Sequence, residues 1–443
     1  MPATSLTATR LPPLVASRWL RLTVFTGAYF AQGVPIGLLT IALPAWLSAH
    51  GTTVGEIAAY HSIVGLPWGL KLLSGPFMDR FAFPAMGRRR PWILGAQAGL
   101  TLAFVALTLV GDPLSQLHLV IAIGFAINAF GALQDVAVDG MAIDVLPETE
   151  RGRANAFMAF GQVAGFSSFA AICGFLLTNT GLPTTAAVCA VTVATIFVLV
   201  AVVRERSGER LLPWSPGEAA ARTTPQRATF AAIFSGLFKV LFLPMSIILT
   251  TAEWIVRMRD GVMLSVAPVV ATQTLGFTPE AYSYLQGTMG VVMAVVGLAI
   301  GPFIDRYGSR EFYIAGVGGI GLVTLAFAMS QPLWGSLWWV LLLFALGSFF
   351  GQMIFVSFIS CAMSLCWLPV AASQFAIYMS LSNLARSIGA GLFAPFANQM
   401  NVQDQFLLIT ALSFTACAVM WMFRIERHRT TLSRLDTPSL ATR

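Results

Sequence analysis

Apolar residues fall along this chain in long runs, interrupted by short polar clusters. Twelve near-continuous apolar segments recur from Val24 to Phe423, at approximately 20–48, 54–78, 92–111, 115–145, 154–178, 183–203, 241–272, 280–302, 311–330, 334–363, 371–397 and 403–423. Each is close to the roughly 20 residues that a helix needs to cross a hydrocarbon core of about 30 Å. Lipid offers no partner to backbone N–H and C=O groups, so segments of this kind are helices. The pattern therefore predicts an all-α integral membrane protein with twelve transmembrane helices.

Composition agrees with the pattern: 57% of the 443 residues are apolar, 10% are charged and the mean hydropathy is +0.77, which excludes an ordinary soluble globule and a disordered chain. The first nineteen residues, MPATSLTATRLPPLVASRW, are polar and broken by proline, so no removable signal peptide is expected. Cys173, Cys189, Cys361, Cys366 and Cys417 lie in or beside apolar helices without a CxxC or a paired His, and read as packing residues rather than disulfides or metal ligands.

The cations fix the topology. Arg10, Arg18 and Arg21 precede the first span, and Arg80 and Arg88 to Arg90 follow the second; Arg151 and Arg153 follow the fourth. Arg204, Arg206, Arg210, Arg222 and Arg227 follow the sixth, Arg306 and Arg310 the eighth, and Arg424, Arg427, Arg429 and Arg434 the last. The alternate loops, near His50, Asp112, Thr180, Glu280, Gln331 and Asp404, hold no Lys or Arg. By the positive-inside bias both termini are cytoplasmic and the number of crossings is even. Topology explains the net charge of +7, which removes the reason to expect a nucleic-acid partner.

A charged, Pro- and Gly-containing stretch, RERSGERLLPWSPGEAAARTTPQR, separates six spans from six. The expected organisation is a tail at 1–19, a six-helix bundle at 20–203, a linker at 204–240 with a candidate amphipathic surface helix from Ala228 to Lys239, a second bundle at 241–424 and a tail at 425–443. A repeat supports the division. Gly75-Pro76-Phe77-Met78-Asp79-Arg80 ends the second span and Gly301-Pro302-Phe303-Ile304-Asp305-Arg306 ends the eighth, and MAIDVLP at 141–147 is echoed by MSLCWLP at 363–369. Gly75 and Gly301 suit close helix approach, and Asp79 and Asp305 sit where they can pair with Arg80, Arg88, Arg89, Arg90 or Arg306, or cap a facing helix. Asp144, with Arg151 and Arg153 close behind it, belongs to the same end. Contacts of this kind serve either as a gate, made in one conformation and broken in another, or as a permanent clamp and topology signal.

The repeated block resembles the motif that follows the second helix in the major facilitator superfamily, G-x-x-x-D-R/K-x-G-R-R/K, and the duplicated six-helix unit is that superfamily's pattern. In the first copy FAFPAM intervenes before Gly87-Arg88-Arg89-Arg90; the second continues directly as Tyr307-Gly308-Ser309-Arg310. The resemblance implies two pseudo-symmetric six-helix bundles.

A charge at mid-bilayer costs about 2.5–3.5 kcal/mol on insertion scales, so each intramembrane charge needs a reason. Lys71, Asp135 and Asp139 stand in the first half, and Glu253, Arg257, Arg259, Asp260 and Arg386 in the second. At 1.5 Å per residue Lys71 lies roughly 12 Å, Asp139 about 10 Å and Asp135 about 16 Å from the cytoplasmic helix ends. Asp135 and Asp139 are i and i+4, one face with two like charges, where a lysine decides how readily a proton is held. That makes Asp135, Asp139 and Lys71 candidates for proton coupling, against a static ion pair that fixes packing. Arg257 is about 18 Å deep and Arg386 about 24 Å, near the midplane. A guanidinium there suits a carboxylate or phosphate. Arg257 also has Glu253 and Asp260 in its own helix, whereas Arg386 has no acid within four residues. Gln134 is a polar candidate for the same cavity, with Asn128, Gln162, Gln273, Gln286, Gln352 and Asn383, and His61 is either a proton relay or a packing donor. The chain contains no Walker A sequence, no GxSxG and no metal cluster, so no catalytic residue, cofactor or metal is expected and the protein is not read as an enzyme.

Several blocks together resemble the muropeptide permease and acetyl-CoA transporter (AmpG-like) family: GLPWGLKLLSGPFMDRFAFPAMGRRRPWI at 65–93, LQDVAVDGMAIDVLPETERG at 133–152, MRDGVMLSVAPVVATQTLGFTPEAYS at 258–283 and SQFAIYMSLSNLARSIG at 373–389. They cover about a fifth of the chain. Two features depart from the family: the chain ends soon after Arg424, where family permeases often continue, and CWLPVAAS lacks the charges usual after the tenth helix. The resemblance implies that Lys71, Asp135, Asp139, Arg257 and Arg386 line or couple a central cavity of a bacterial inner-membrane symporter. Its partners would be protons, the lipid bilayer and a small anionic amphipathic solute, a cell-wall sugar-peptide first and a ferric siderophore or other acidic natural product second, and a monomer is expected. Two other classes stay open: a non-transporting assembly or sensing factor, and an acyltransferase, for which only His61 offers itself.

Overall fold

The computed structural model describes residues 12–81, 83, 85–217, 230–367 and 370–436. Their helices, in chain order, are α1 (Arg18–Ala49), α2 (Val54–Leu70), α3 (Ser74–Arg80), α4 (Arg90–Thr108), α5 (Leu117–Val145), α6 (Arg151–Ala201) and α7 (Phe230–Leu241). They continue with α8 (Pro244–Val269), α9 (Pro279–Tyr307), α10 (Ser309–Met329), α11 (Leu337–Leu365), α12 (Ala371–Ala397), α13 (Val402–Trp421) and α14 (Ile425–Asp436). Among the described residues eight helical stretches are long and apolar enough to cross a membrane. One of them, Glu148–Ala201, is two crossings joined at Gly181, whose φ of 83° and ψ of 179° reverse the chain where the sequence predicts a longer break. The seventh crossing, α8, falls outside that set because it carries Glu253, Arg257, Arg259 and Asp260.

Two departures from regular helix have a common cause. Pro35 in α1 is followed by a π segment, Gly37–Ala42, and Pro268 in α8 by another, Val270–Thr274. Proline removes an N–H and crowds the preceding turn, and a widened turn absorbs the disturbance. The second span is broken by a 3-10 turn, Lys71–Leu73, between α2 and α3.

The chain divides into two compact units, 1–39 with 73–224 and 40–72 with 225–443. The second unit thus includes α2, whereas the sequence division runs 20–203 and 241–424. In the first unit α1 and α6 meet through reciprocal glycines. A Cβ on Gly33 would lie 2.3 Å from Phe166 N and one on Gly37 2.5 Å from Ala170 N, while Gly161 and Gly165 abut the Thr26 and Phe30 carbonyl oxygens at 2.4 and 2.3 Å. Both pairs are GxxxG, the spacing that lets helix backbones touch in lipid, where apolar burial supplies no drive toward association. Around this crossing Phe25, Ile93, Val138, Met141 and Val200 form a buried cluster.

In the second unit α12 packs against α2 and α8. A Cβ on Gly69 would lie 2.8 Å from Leu384 Cα, one on Gly261 2.1 Å from the Arg386 oxygen, and one on Gly389 2.4 Å from Met258 Cα. The expected close approach at the repeated motif is not found: Gly301 has nothing within 4 Å and Gly75 only Val136 Cγ1 at 4.0 Å. The tight crossings use glycines inside the spans instead. At the other end of α2, Asn398 accepts from Gly55 N (3.0 Å) and donates to Thr53 Oγ1 (3.3 Å), where Thr53 and Glu56 form a capping box.

The expected surface helix at 228–239 appears as α7; residues 228 and 229 lie outside the described residues. Leu237 and Val240 of α7 are buried with Val370, and Leu432 of α14 packs on the same cluster. His428 of α14 is 1% exposed and its Nε2 meets the Leu365 oxygen at 3.0 Å.

Two predictions follow from this packing. Gly261→Ala pushes α8 off the α12 backbone and costs about 1–3 kcal/mol; a lowered melting temperature in detergent checks it, with Gly95→Ala, which meets nothing within 4 Å, as the unaffected control. Burial holds the His428 imidazole below its ordinary pKa of 6.5, so the unfolded helix binds a proton more readily than the docked one. No penalty exists above that value, and docking of α14 weakens as pH falls below it; hydrogen exchange in 425–436 should rise on acidification in wild type and stay flat in His428→Gln.

Candidate functional site

Four intramembrane charges of the second unit sit on about two turns of α8. Glu253 and Arg257 are i and i+4 in the favourable acid-before-base order, and Asp260 follows three residues later. Arg257 Nε donates to Glu253 Oε1 at 2.6 Å and its NH1 to Asp260 Oδ2 at 3.0 Å, while Arg259 NH2 meets Asp260 Oδ1 at 2.7 Å. Neighbouring helices complete the set: Tyr313 of α10 donates to Glu253 Oε2 at 2.8 Å, and Ser382 of α12 to Oε1 at 3.4 Å. The Arg257 guanidinium lies 6.0 Å from the Phe358 ring of α11. Glu253, Trp254, Phe358, Tyr378 and Ser382 line a narrow crevice beside this network.

Arg386 enters the same electrostatic neighbourhood from α12, facing Arg257, Asp260, Glu253 and Arg259. Its backbone carbonyl is pressed against Gly261, one residue past Asp260, which fixes where its side chain starts. Three guanidiniums face two carboxylates, so one positive charge is left over. Arg257 and Arg259 are taken by Glu253 and Asp260; the Nε of Arg386 is buried without a hydrogen-bond partner. His61 of α2 also faces Arg386; it hydrogen-bonds the Leu264 backbone and leaves Nε2 buried without a partner. Lys71, in the 3-10 turn after α2, has its ammonium 5.6 Å from the Trp68 ring. Gln273, in the π segment of the seventh span, donates to the Ser48 and Thr52 oxygens at 2.7 and 3.1 Å, a tie between backbone segments.

In the first unit Asp135 and Asp139 share a face of α5 but not an environment: Asp135 is 6% exposed and Asp139 is open. Tyr29 of α1 donates its hydroxyl to Asp139 Oδ1. One turn earlier, Gln134 Nε2 donates to the Ala28 oxygen at 2.7 Å, leaving Oε1 buried without a partner. These two bonds hold adjacent turns of α5 against α1. Lys71 belongs to the other unit.

The basic end of the first unit is assembled by two groups that exchange helix ends. Glu205, fully buried just past α6, accepts from the amides of Arg88, Arg89 and Arg90 at 3.1, 2.9 and 2.6 Å, at the start of α4. Arg90, from the start of α4, donates to the Val200 oxygen at 3.0 Å and the Ala201 oxygen at 2.5 Å, the end of α6, and to the Leu211 oxygen at 2.8 Å. Each charge thus meets the helix pole of opposite sign and satisfies groups that the helix itself leaves open. Asp144 lies between Arg88 (3.5 Å) and Arg89 (3.6 Å), and Arg206 NH2 reaches its backbone oxygen at 3.3 Å. Arg21 joins Glu150 at 2.7 Å. Arg151 makes a loose 3.8 Å pair with Glu148, Arg153 is exposed, and Arg306 stacks 5.3 Å from Tyr307. Linker residues 204–217, expected from the sequence as a polar interruption, are folded onto this end. The side chains of Asp79, Arg80 and Asp305 lie outside the described residues.

Tyr29, Tyr313, Ser382 and Glu205 were not singled out by sequence. Each acts across 60 residues or more, and an isolated hydroxyl or linker acid carries no local pattern that names its partner.

A family model described as the Major Facilitator Superfamily matches residues 25–394. The chain belongs to that superfamily. The superfamily fold, twelve membrane helices in two pseudo-symmetric six-helix bundles, is the one expected above. The anhydromuropeptide permease of Escherichia coli strain K12 is 35% identical over 136 residues, 31% of this chain and 27% of that protein. The matched stretch thus spans about a quarter of the relative. A putative transporter, AmpG 4, of Rickettsia conorii is 22% identical over 409 residues, 88% of this chain and 93% of its own length. As a member of the superfamily the chain is a transporter, and it is similar to AmpG-type permeases. Among solved structures, a POT family transporter in complex with 5-aminolevulinic acid superposes with a TM-score of 0.70 at 12% identity over 91% of this chain and 95% of that one. A D-xylose-proton symporter gives 0.68 at 12% identity, over 91% and 97% of the two chains. At that identity they speak for the fold.

Removing one partner of a buried ion pair strands the other charge. Glu253→Ala should cost about 3–5 kcal/mol, read as a large drop in melting temperature, whereas Tyr313→Phe, which leaves Arg257 paired, should cost about 1 kcal/mol.

Proposed function

We propose that this permease is a proton-coupled symporter that imports an anionic, amphipathic solute, a cell-wall muropeptide in the first instance, by alternating access between the bundles at 20–203 and 241–424. The observation that carries the reading is the surplus guanidinium: the acids of α8 neutralise Arg257 and Arg259, and Arg386 is left near the midplane with donors to spare. A guanidinium in that state is a receptor for a carboxylate or phosphate that brings the missing negative charge with it. Glu253, Arg257 and Asp260 then form the wall that holds the field around it, and Gln134 faces substrate only when α5 and α1 part.

Asp139 is the proton carrier in this reading. It is an exposed carboxylate that accepts from the Tyr29 hydroxyl, so it is open to proton exchange and a change in its charge is felt by α1. Asp135, one turn deeper, makes the second negative charge less favourable, and Lys71 tunes the pair when the halves rearrange. Asp144, Arg88, Arg89, Arg90, Arg151 and Arg153, with Gly75, Asp79, Arg80, Gly301, Asp305 and Arg306 of the repeated motif, form the gate on the cytoplasmic side. Both termini are cytoplasmic, in a bacterial inner membrane, as the arginine distribution supports, and the working unit is a monomer.

The test is external pH in proteoliposomes on addition of an anhydro-muropeptide. Wild type should take up protons with substrate; Asp139→Asn should bind substrate and lose the proton signal, and Arg386→Ala should weaken binding by roughly 10-fold to 100-fold, the range for a charged hydrogen bond of about 1.5–3 kcal/mol. Proton flux undiminished in Asp139→Asn overturns its role. Silence of folded wild type toward muropeptide, with a response to a ferric siderophore, replaces the substrate and leaves the anion site standing.

A further inference from the structure

A second convergence of guanidiniums lies at the basic end of the second unit, one turn of α10 before Tyr313. Arg310, in the first turn of α10, donates through NH2 to the Trp421 oxygen at 2.9 Å, and Arg424, just past α13, donates through NH1 to the same oxygen at 2.8 Å. Two bonds ending on one atom hold the two cationic groups as close as those bonds laid end to end. Arg424 NH1 also reaches the Phe423 oxygen at 3.1 Å. Arg310 NH1 meets Glu311 at 3.0 Å, a carboxylate 56% exposed, and Arg310 Nε is buried with no partner at all.

Capping does not account for this arrangement. The C-terminal carbonyls of α13 carry about half a negative charge between them, and one guanidinium satisfies that. A second placed on the same oxygen is repelled by the first, and Glu311 is too exposed to cancel it, so the site holds a surplus of positive charge that is exposed at Arg424. The residues beside it look toward lipid: Trp421 is 62% exposed and Met422 57%, while Phe423 anchors the chain in the core at 1%. A tryptophan at the end of a membrane helix marks the depth at which headgroups lie.

We propose that Arg310 and Arg424, joined on the Trp421 carbonyl, bind the phosphate of an anionic phospholipid, with Trp421 and Met422 against its glycerol and upper acyl chains. The forked donors match phosphate oxygens, and an anionic headgroup differs here from a zwitterion in that its phosphate charge has no counter-ion of its own, whereas the zwitterion's ammonium would face two arginines. The lipid would tie the end of α13 to the start of α10.

The experiment is native mass spectrometry of the full chain released from nanodiscs of mixed phosphatidylglycerol and phosphatidylethanolamine, with quenching of Trp421 by brominated phosphatidylglycerol, taken as the difference from Trp421→Phe. Each arginine near an anionic surface accounts for about a five-fold preference, so Arg310→Gln/Arg424→Gln, which keeps N–H donors for the carbonyl, should retain phosphatidylglycerol about 20-fold less than wild type and lose the quenching difference. Arg310→Lys/Arg424→Lys should keep most of it, and Arg427→Ala, which removes an exposed cation nearby, should change little. Retention equal to wild type in the folded Gln variant overturns the proposal. So does displacement of the lipid by glycerol phosphate alone at matched concentration, which would make this a site for the free anion.

Discussion

A charge inside hydrocarbon has to be answered by another charge within reach, and most of what is specific about this molecule satisfies that requirement. The four charged residues of α8 do it within about two helix turns, using i+3 and i+4 spacing that needs no tertiary help. Tyr313 then takes the other carboxylate oxygen of Glu253 and Ser382 shares the one that Arg257 holds, so that Glu253 becomes a fixed acceptor that organises three helices. Pairing within α8 accounts for every acid, and the guanidinium contributed by α12 arrives with none to meet it. The same rule that makes the network stable leaves one position electrically incomplete.

Close packing decides where that position lies. The Arg386 carbonyl touches Gly261, and Gly389 returns the contact against Met258, so the register between α8 and α12 cannot slip by a residue without a backbone collision. In the first unit the paired GxxxG sequences of α1 and α6 play the same part for Tyr29 and Asp139: the hydroxyl of α1 is brought to the carboxylate of α5 because α1 is itself held flush against a third helix. Glycine here acts at a distance, by setting the separation at which side chains on other turns meet.

The fold was legible in the sequence almost in full, because length and apolarity of the spans are imposed by the bilayer and appear residue by residue. Of the site, one part with a local pattern was legible too: Glu253, Arg257 and Asp260 pair as their spacing says, whereas Asp144 meets Arg88 and Arg89 from the start of α4 rather than Arg151 and Arg153 just behind it. What stayed hidden was long-range. Asp135 and Asp139 read as equivalent on one helix face, yet one is buried and the other open, since the difference comes from what α1 places in front of each. Glu205 read as one charge among many in a linker, and only the fold shows its carboxylate seated on three amides of α4. Gly75 and Gly301 read as packing glycines through their motif, whereas the contacts fall on Gly33, Gly37, Gly161 and Gly165, whose spacing was visible but lay in helices that nothing else marked.

The turn at Gly181 bears on how the protein is made. A single residue leaves helical geometry between the fifth and sixth crossings, and an unbroken helix runs away from it on both sides. Two spans with so short a connection have no slack to be threaded one after the other, since the first cannot complete its passage while the second remains outside. They would enter the bilayer together, as one hairpin led by its bend, and Cys173 and Cys189, with sulfurs 3.7 Å apart eight residues either side of the glycine, would be neighbours from the moment the pair is released.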